Sequence, residues 1–173
     1  KTGDVTKVEN YRGITLSSAI SKLFETCLLH LYSDYLYTSD LQFGFKKGMG
    51  CRNAIFALQS VIDFHIKHGS TVNVCMLDMS RAFDKVNHYV LYLKLMKRKV
   101  PVQLLNVLIN WYGKCSVCVK WCSIFSEWFH LSCGVRQGGV LSPILFTVYV
   151  NDILEKLKMS ELGCKIGDLY FGC

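Results

Sequence analysis

The stretch that decides the fold is VCMLDMSRAFD, residues 74–84, in which an apolar run leads into two carboxylates. The run is short, β-branched at its start and mostly apolar, which predicts a buried strand over residues 71–77. Asp78 would then stand at the carboxyl end of that strand. A charge at the edge of a core is costly unless another group offsets it, so the chain must supply or recruit a partner for Asp78.

The residues around Asp78 leave two interpretations open. In the first, the carboxylate binds a divalent cation, and Mg²⁺ suits this place because it takes hard oxygen ligands and keeps room for waters and substrate phosphates. In the second, Asp78 caps the turn that follows, with Ser80 assisting.

The composition is that of a folded chain with an excess of basic residues. Of the 173 residues, 51% are hydrophobic and only two are proline, which argues against disorder. No apolar run approaches the roughly 18 residues of a membrane helix, and no leader pattern opens the chain. Twenty Lys and Arg against 13 Asp and Glu give a net charge of +7. This excess favours a polyanion, nucleic acid above all, as partner, although solvated helix faces would explain it equally well.

The cysteines indicate a reducing compartment. There are nine, an odd number, and several lie within apolar patterns, as reduced cysteines do in intracellular proteins. A zinc site is the alternative, since several candidate ligands lie close in sequence: Cys115, Cys118, Cys122, His130 and Cys133. Strand alternation puts Cys115 and Cys118 on opposite faces, so zinc is not expected. Because the chain opens at Lys1 and stops directly after an apolar run, we expect it to be a piece of a longer protein.

Hydrophobic spacing predicts an α+β fold, with helices packed on a small, mostly antiparallel sheet. Steps of three and four indicate five helices: from Ser18 to about Tyr35, over 52–67, over 88–99, from Pro101 to about Trp111, and from a start at Ser142-Pro143 through 144–157. Alternation predicts a half-buried strand over 115–121 with 127–131 returning beside it, and a hairpin over 164–171 that turns on Gly167-Asp168.

A glycine-rich loop, GVRQGG at residues 134–139, is the second candidate site. Adjacent glycines let a backbone approach a flat ligand closely, Gln137 can hydrogen-bond a base or sugar, and Arg136 can meet a phosphate. The Gly-Lys-Ser/Thr ending of a Walker loop is absent. Alone, the loop could be an ordinary turn. The signal becomes specific because the loop follows QFGFKKG (42–48) and LDMSRAFD (77–84) in this order.

Taken together, these motifs resemble the reverse transcriptases of non-LTR retrotransposons, the long-interspersed-element type. NYRGITL (10–16) resembles the family's N-Y-R-P-I-S-L segment, QFGFKKGMGC (42–51) its fingers motif, CMLDMSRAFDKVNH (75–88) its first palm motif, and GVRQGGVLSPILF (134–146) its glutamine-glycine motif. The similarity covers essentially the whole chain. Gly13 and Gly50 depart from the family's usual Pro and Ser, as they would in a decayed copy of such an element.

The resemblance implies a right-hand polymerase, with fingers over residues 1–69 and palm over 70–173. Asp78 would be the catalytic, metal-binding carboxylate, helped by the backbone carbonyl of Met79, and the complete enzyme would use two Mg²⁺ ions, with Mn²⁺ as a substitute. The family's other two metal carboxylates come from a Tyr-x-Asp-Asp hairpin that follows a segment resembling GDLYFGC (167–173). We therefore expect this chain alone to be inactive. Tyr149-Val-Asn-Asp152 has a similar spacing but lies within a predicted helix.

The resemblance also implies a nucleotide site. Phe83 would pack under the deoxyribose and exclude a 2′-hydroxyl, although ordinary packing of a buried Phe is equally compatible. Gln137 and Gly138 would line the incoming dNTP. Its phosphates would be reached by Arg12 and by Lys46 or Lys47, and nucleic acid would be contacted by Arg52 and Arg136.

The expected partners are an RNA template, a DNA primer and dNTP, with no membrane, in the reducing cytoplasm and nucleus. The rival interpretation is a noncatalytic remnant of such an element that binds nucleic acid without turnover. For either one, the sequence predicts binding that weakens steeply with added salt.

Overall fold

The computed structural model describes residues 3–160, 162–167 and 169–171. Within them the chain forms five α-helices, which confirms the five predicted: α1 (Ala19–Leu31), α2 (Cys51–Lys67), α3 (His88–Lys97), α4 (Val102–Gly113) and α5 (Ser142–Met159). Short 3-10 turns cover Val8–Asn10 and Ser33–Tyr35. The first helix therefore ends earlier than predicted and tightens into a 3-10 turn.

Local capping explains where several helices begin. The Ser18 hydroxyl accepts a hydrogen bond from the Ser21 amide at 3.1 Å, and the Asn87 side chain accepts one from the Val90 amide at 3.1 Å. Such N-caps satisfy amides that the first turn of a helix leaves unpaired. After α2, Gly69 adopts φ +73°, a left-handed conformation that favours glycine and ends the helix.

The hydrophobic core lies between α3, α4 and α5. Its most buried side chains each expose 1% or less: Leu91, Leu95, Leu104, Leu108, Leu145 and Val148. Each such side chain contributes about 1.5–3 kcal/mol on burial. Leu28 and Leu36 from the N-terminal part, and Val135 and Leu141 from the segment before α5, join the same cluster. The core thus includes Val135, within the glycine-rich loop, and Leu141, just after the loop.

The strands pair antiparallel, two by two, which confirms the α+β class. They are β1 (Ser116–Val117) with β4 (Phe129–His130), β2 (Lys120–Trp121) with β3 (Ile124–Phe125), and β5 (Cys164–Ile166) with β6 (Leu169–Phe171). The pair of β1 with β4 confirms the predicted return of 127–131 beside 115–121. The single strand predicted over 115–121 is instead two short strands, and the second of these, β2, pairs with β3. The last pair confirms the predicted hairpin, although the turn residue Asp168 lies outside the described residues.

The predicted strand over residues 71–77 is wrong. Residues 71–79 have no regular secondary structure, and Met76 and Leu77 are 82% and 87% exposed. Among the described residues, no backbone hydrogen bond joins this segment to another. A strand needs a neighbour to pair its N–H and C=O groups, and a β-branched apolar pattern cannot provide one.

The predicted apolar faces of the first two helices are largely exposed. On α1, Ile20, Leu23 and Leu31 are 80%, 66% and 70% exposed, while Glu25 and Leu28 are buried. On α2, Val61 is the buried residue among those described. No helix in the described part of the chain combines the length and hydrophobicity needed to cross a bilayer.

Candidate functional site

The glycine-rich loop is bonded to the end of the LDMSRAFD segment. The Val135 amide donates to the Phe83 carbonyl at 2.8 Å, and the Gly134 amide donates to the Val86 carbonyl at 2.7 Å. A ring nitrogen of His88 lies 2.7 Å from the Gly134 carbonyl oxygen. Gly134 has φ +88°, and a Cβ there would lie 3.0 Å from the carbonyl oxygen of Asp84. Two motifs that are about 50 residues apart in sequence therefore share one backbone network.

The same loop is bonded to the NYRGITL segment on its other side. The Thr15 amide donates to the Gln137 carbonyl at 2.7 Å. Gly138 has φ +120°, and a Cβ there would lie 2.7 Å from the Thr15 carbonyl oxygen. This contact brings the chain that carries Arg12 to Gln137 and Gly138, three of the residues predicted to meet the nucleotide.

Phe83 packs between two aromatic rings from different parts of the chain. Its ring stacks on Phe146 of α5, with centroids 4.9 Å apart, and meets the edge of Phe45 at 5.8 Å. Phe45 belongs to the QFGFKKG loop, so that loop also reaches the site. These contacts explain why Phe83 is half-buried, and its role against a sugar stays a prediction.

The predicted phosphate-binding cations differ in how far they are already engaged. Lys46 pairs with Asp40 at 3.0 Å and donates to the Ser39 carbonyl at 3.2 Å. Arg12, Lys47 and Arg52 are exposed. A free phosphate would therefore compete with Asp40 for Lys46.

Arg136 does not face open solvent. Its guanidinium pairs with the Glu25 carboxylate and lies over the Trp111 ring, 5.1 Å from the ring centroid. The side chain of Arg136 is only 12% exposed, and that of Glu25 is 2% exposed. Contact between Arg136 and nucleic acid stays a prediction, because this arginine already has an anionic partner.

Sequence reasoning missed Glu25. The apolar steps of three and four that predict α1 do not include this residue. The signal that could have found it is its spacing from Leu28: residues three apart share a helix face, so Glu25 and Leu28 face the protein together.

Two further polar side chains, Tyr112 of α4 and Ser142 at the start of α5, are buried. Tyr112 of α4 is 2% exposed, and burial raises the pKa of its phenol, while a hydrogen bond with Ser142 and the nearby charge of Arg136 act in the opposite direction. Ser142, the first residue of α5, is 1% exposed. Tyr112 therefore stays neutral where an exposed tyrosine would ionise.

Arg136 also lines a groove of about 630 Å³ between α1, α4 and the start of β1. Its wall includes Phe24 and Trp111, whose rings stack with centroids 5.1 Å apart, and Lys114.

Asp78 and Met79 are both exposed, and they lie in the segment 71–79, which has no regular secondary structure. The Asp78 carboxylate and the Met79 carbonyl are hard oxygen donors, the kind that Mg²⁺ prefers. Among the described residues, no group of three His, Cys, Asp or Glu side chains could hold a metal ion. The local chemistry thus fits Mg²⁺ in kind, through one carboxylate and one backbone carbonyl.

The Tyr149-Val-Asn-Asp152 segment lies inside α5, as predicted. Asp152 pairs with Lys94 of α3 at 3.1 Å, and Lys94 also donates to the Tyr149 carbonyl. Asp152 therefore forms an ion pair between α5 and α3.

Comparison with known proteins gives a consistent result. Residues 1–169 match the family model described as reverse transcriptase (RNA-dependent DNA polymerase). The chain is 27% identical over 168 residues, 97% of its length, to the Pol polyprotein of the type-2 retrotransposable element R2DM of Drosophila melanogaster. It is 30% identical over 149 residues, 84% of its length, to a probable RNA-directed DNA polymerase from transposon BS of the same fly.

A third similar protein is the RNA-directed DNA polymerase from mobile element jockey of Drosophila melanogaster, 29% identical over 172 residues and 94% of this chain. The chain spans 16% of the R2DM and BS proteins and 18% of the jockey protein.

Proposed function

This chain belongs to the reverse transcriptase (RNA-dependent DNA polymerase) family, as a partial domain of the non-LTR retrotransposon type, and we propose that it forms the nucleotide-holding part of an RNA-directed DNA polymerase. One observation carries the proposal: the glycine-rich loop is bonded at one end to residues 83–88 and at Gln137 and Gly138 to Thr15. Three motifs that could bind a nucleotide are therefore assembled at one place.

In this proposal the described residues bind and orient the substrate. Gln137 and Gly138 line the base and sugar of the dNTP, and Phe83 lies under the deoxyribose and leaves no room for a 2′-hydroxyl. Arg12 and Lys47 meet the phosphates, with Lys46 joining if it exchanges Asp40 for the ligand. We leave Arg136 out of the phosphate contacts because Glu25 already pairs with it.

Asp78 and the Met79 carbonyl would hold divalent cations. When bound, such ions would supply activation of the attacking hydroxyl and stabilisation of the leaving group. A pair of dications needs more than one carboxylate, and the described residues form no group of three His, Cys, Asp or Glu side chains that could hold a metal ion. We therefore propose that carboxylates of the complete protein, outside this chain, complete the site, and that the 173-residue chain alone does not extend a primer.

We also propose the right-hand arrangement, with fingers over 1–69 and palm over 70–173. The location of the core supports this division, since α3, α4 and α5 all belong to the second part. RNA template, DNA primer and dNTP are the proposed partners, and cytoplasm and nucleus the proposed compartments. The eight cysteines that the structure describes carry no disulfide, which agrees with a reducing compartment.

The noncatalytic alternative rests on the solitary Asp78. In it, the exposed basic side chains hold nucleic acid while no turnover occurs. An experiment that distinguishes the polymerase proposal from the noncatalytic alternative adds a dNTP to the chain bound to a fluorescent RNA–DNA primer–template. Tighter binding with the dNTP that matches the next template base, and with no other dNTP, supports the polymerase site. Binding that ignores the dNTP supports the noncatalytic alternative.

A further inference from the structure

The buried carboxylate of Glu25 contacts the glycine-rich loop at Arg136 and the residue Leu141 that follows the loop. Its Oε1 pairs with the Arg136 guanidinium, directly before Gln137. Its Oε2 accepts a hydrogen bond from the Leu141 amide at 3.0 Å, where α5 begins. The Ser21 hydroxyl lies 3.4 Å from Oε1. One side chain of α1 thus fixes the residues on either side of the segment 137–140.

The chain makes room for this carboxylate through Gly139. A Cβ at residue 139 would lie 3.1 Å from Glu25 Oε2 and 2.7 Å from the Ser142 hydroxyl. A side chain there would push the loop away from Glu25. The second glycine of the QGG sequence is therefore explained by the contact with Glu25, as the first is by the contact with Thr15.

Aromatic stacking fixes the arginine end of the network. The Arg136 guanidinium lies over Trp111, and Trp111 stacks on Phe24, the residue next to Glu25 in α1. A planar guanidinium can pair with a carboxylate and stack on an indole at once, which an ammonium group cannot do. Arg136 is consequently held in one orientation by α1 and α4 together.

We propose that Glu25 is a positioning residue for nucleotide binding: through Arg136 and the Leu141 amide it sets where Gln137 and Gly138 meet the dNTP, without touching the dNTP itself. This inference rests on the proposed function. If the carboxylate only stabilised the fold, replacing it would weaken the binding of all ligands alike. If it positions the loop, replacing it would weaken the binding of the dNTP selectively.

The test compares Glu25→Gln with Glu127→Gln, which removes the same charge from an exposed position. Hydrogen exchange of amides in 134–141 and in α3 and α4 reports on loop and core separately. Binding of a primer–template, with and without the matching dNTP, reports on function. Glu25→Gln should speed exchange in 134–141 but not in α3 or α4. It should also weaken dNTP binding by about tenfold or more, since small displacements of a binding group have large effects, and change primer–template affinity less than about twofold.

Arg136→Lys serves as the second variant, because it keeps the positive charge beside Glu25 and so tests the role if Glu25→Gln unfolds. It should weaken dNTP binding in the same selective way. Unchanged loop exchange, unchanged dNTP affinity, or equal losses for dNTP and primer–template would each overturn the positioning role. If the unmodified chain binds neither ligand, the proposed function fails and the nucleotide role of Glu25 with it, while the exchange data still decide whether Glu25 fixes the loop.

Discussion

Gly138 lies so close to Thr15 that a Cβ at residue 138 would come within 2.7 Å of the Thr15 carbonyl oxygen. The two residues are more than 120 positions apart in sequence. Their contact joins the N-terminal segment to the loop before α5, and it depends on the absence of a side chain at residue 138.

We expect Gly138→Ala to lower the free energy of unfolding by about 1–3 kcal/mol, because alanine is strained at φ +120° and its methyl group would meet Thr15. Urea denaturation followed by circular dichroism measures the change. Gly13→Ala is the control, since a Cβ there meets nothing within 4 Å; it should be neutral or stabilising by up to about 1 kcal/mol. Equal losses in both variants would contradict the close contact.

Tyr112 should make the fold sensitive to alkaline pH. Its pKa is raised by burial, above the ordinary value of 10.0, so the folded chain keeps a proton that the unfolded chain releases. The contribution of Tyr112 to stability is therefore constant below about pH 10 and falls as the pH rises further. Tyr112→Phe should weaken this fall.

Denaturation at several pH values between 8 and 11 measures the effect of Tyr112. Tyr89→Phe is the control, because Tyr89 is 69% exposed, and it should keep the pH dependence of the unmodified chain. A Tyr112→Phe variant with the full alkaline loss would show that this phenol ionises freely in the folded state.

Nucleic-acid binding should be dominated by phosphate contacts. We expect the logarithm of the affinity for a primer–template to fall linearly with the logarithm of the salt concentration. Arg52→Gln should lower the affinity and reduce the slope by about one contact. Lys158→Gln removes the same charge from an exposed position near the end of α5 and should leave the slope unchanged. Anisotropy titrations over a salt series decide this, and equal effects at both positions would argue for a diffuse charge effect alone.

Phe83 should control the choice between dNTP and rNTP. In the complete protein, Phe83→Val should lower the preference for dNTP by about tenfold or more, because it opens space for a 2′-hydroxyl. Phe146→Val is the matched control, since it removes the same stacking contact without opening that space. It should lower stability and keep the preference. Single-nucleotide incorporation with each substrate measures both, and a preserved preference in Phe83→Val would leave Phe83 with a packing role only.

The helices were predictable because their apolar spacing and caps act locally. Ser18, Gly50 and Pro143 mark helix starts in the sequence and in the structure alike. The side of α1 that faces the protein was not predictable in this way, because the exposed apolar residues of α1 outnumber the buried ones. Which residues of α1 are buried depends on the side chains that other parts of the chain bring to it, above all Arg136, which pairs with Glu25.

The strand over 71–77 shows the limit of pattern reasoning. Its residues have the composition of a buried strand, but pairing depends on another segment being in reach. The motifs at 10–16, 42–48, 77–84 and 134–139 lie next to one another in the structure, and the nucleotide site that they suggest stays a prediction. They could not predict that Arg136 is already paired, since its partner lies on a helix with no motif of its own.

RNA-templated primer extension tests the central claim most directly. The complete protein of this reading frame and the 173-residue chain should be assayed with Mg²⁺, each with Asp78 intact and as Asp78→Asn, and with Asp34→Asn as an exposed control. We expect extension by the complete protein and by its Asp34→Asn variant, background activity for Asp78→Asn, and none for the chain alone. Undiminished extension by Asp78→Asn would contradict the assignment of Asp78 as the metal-binding carboxylate.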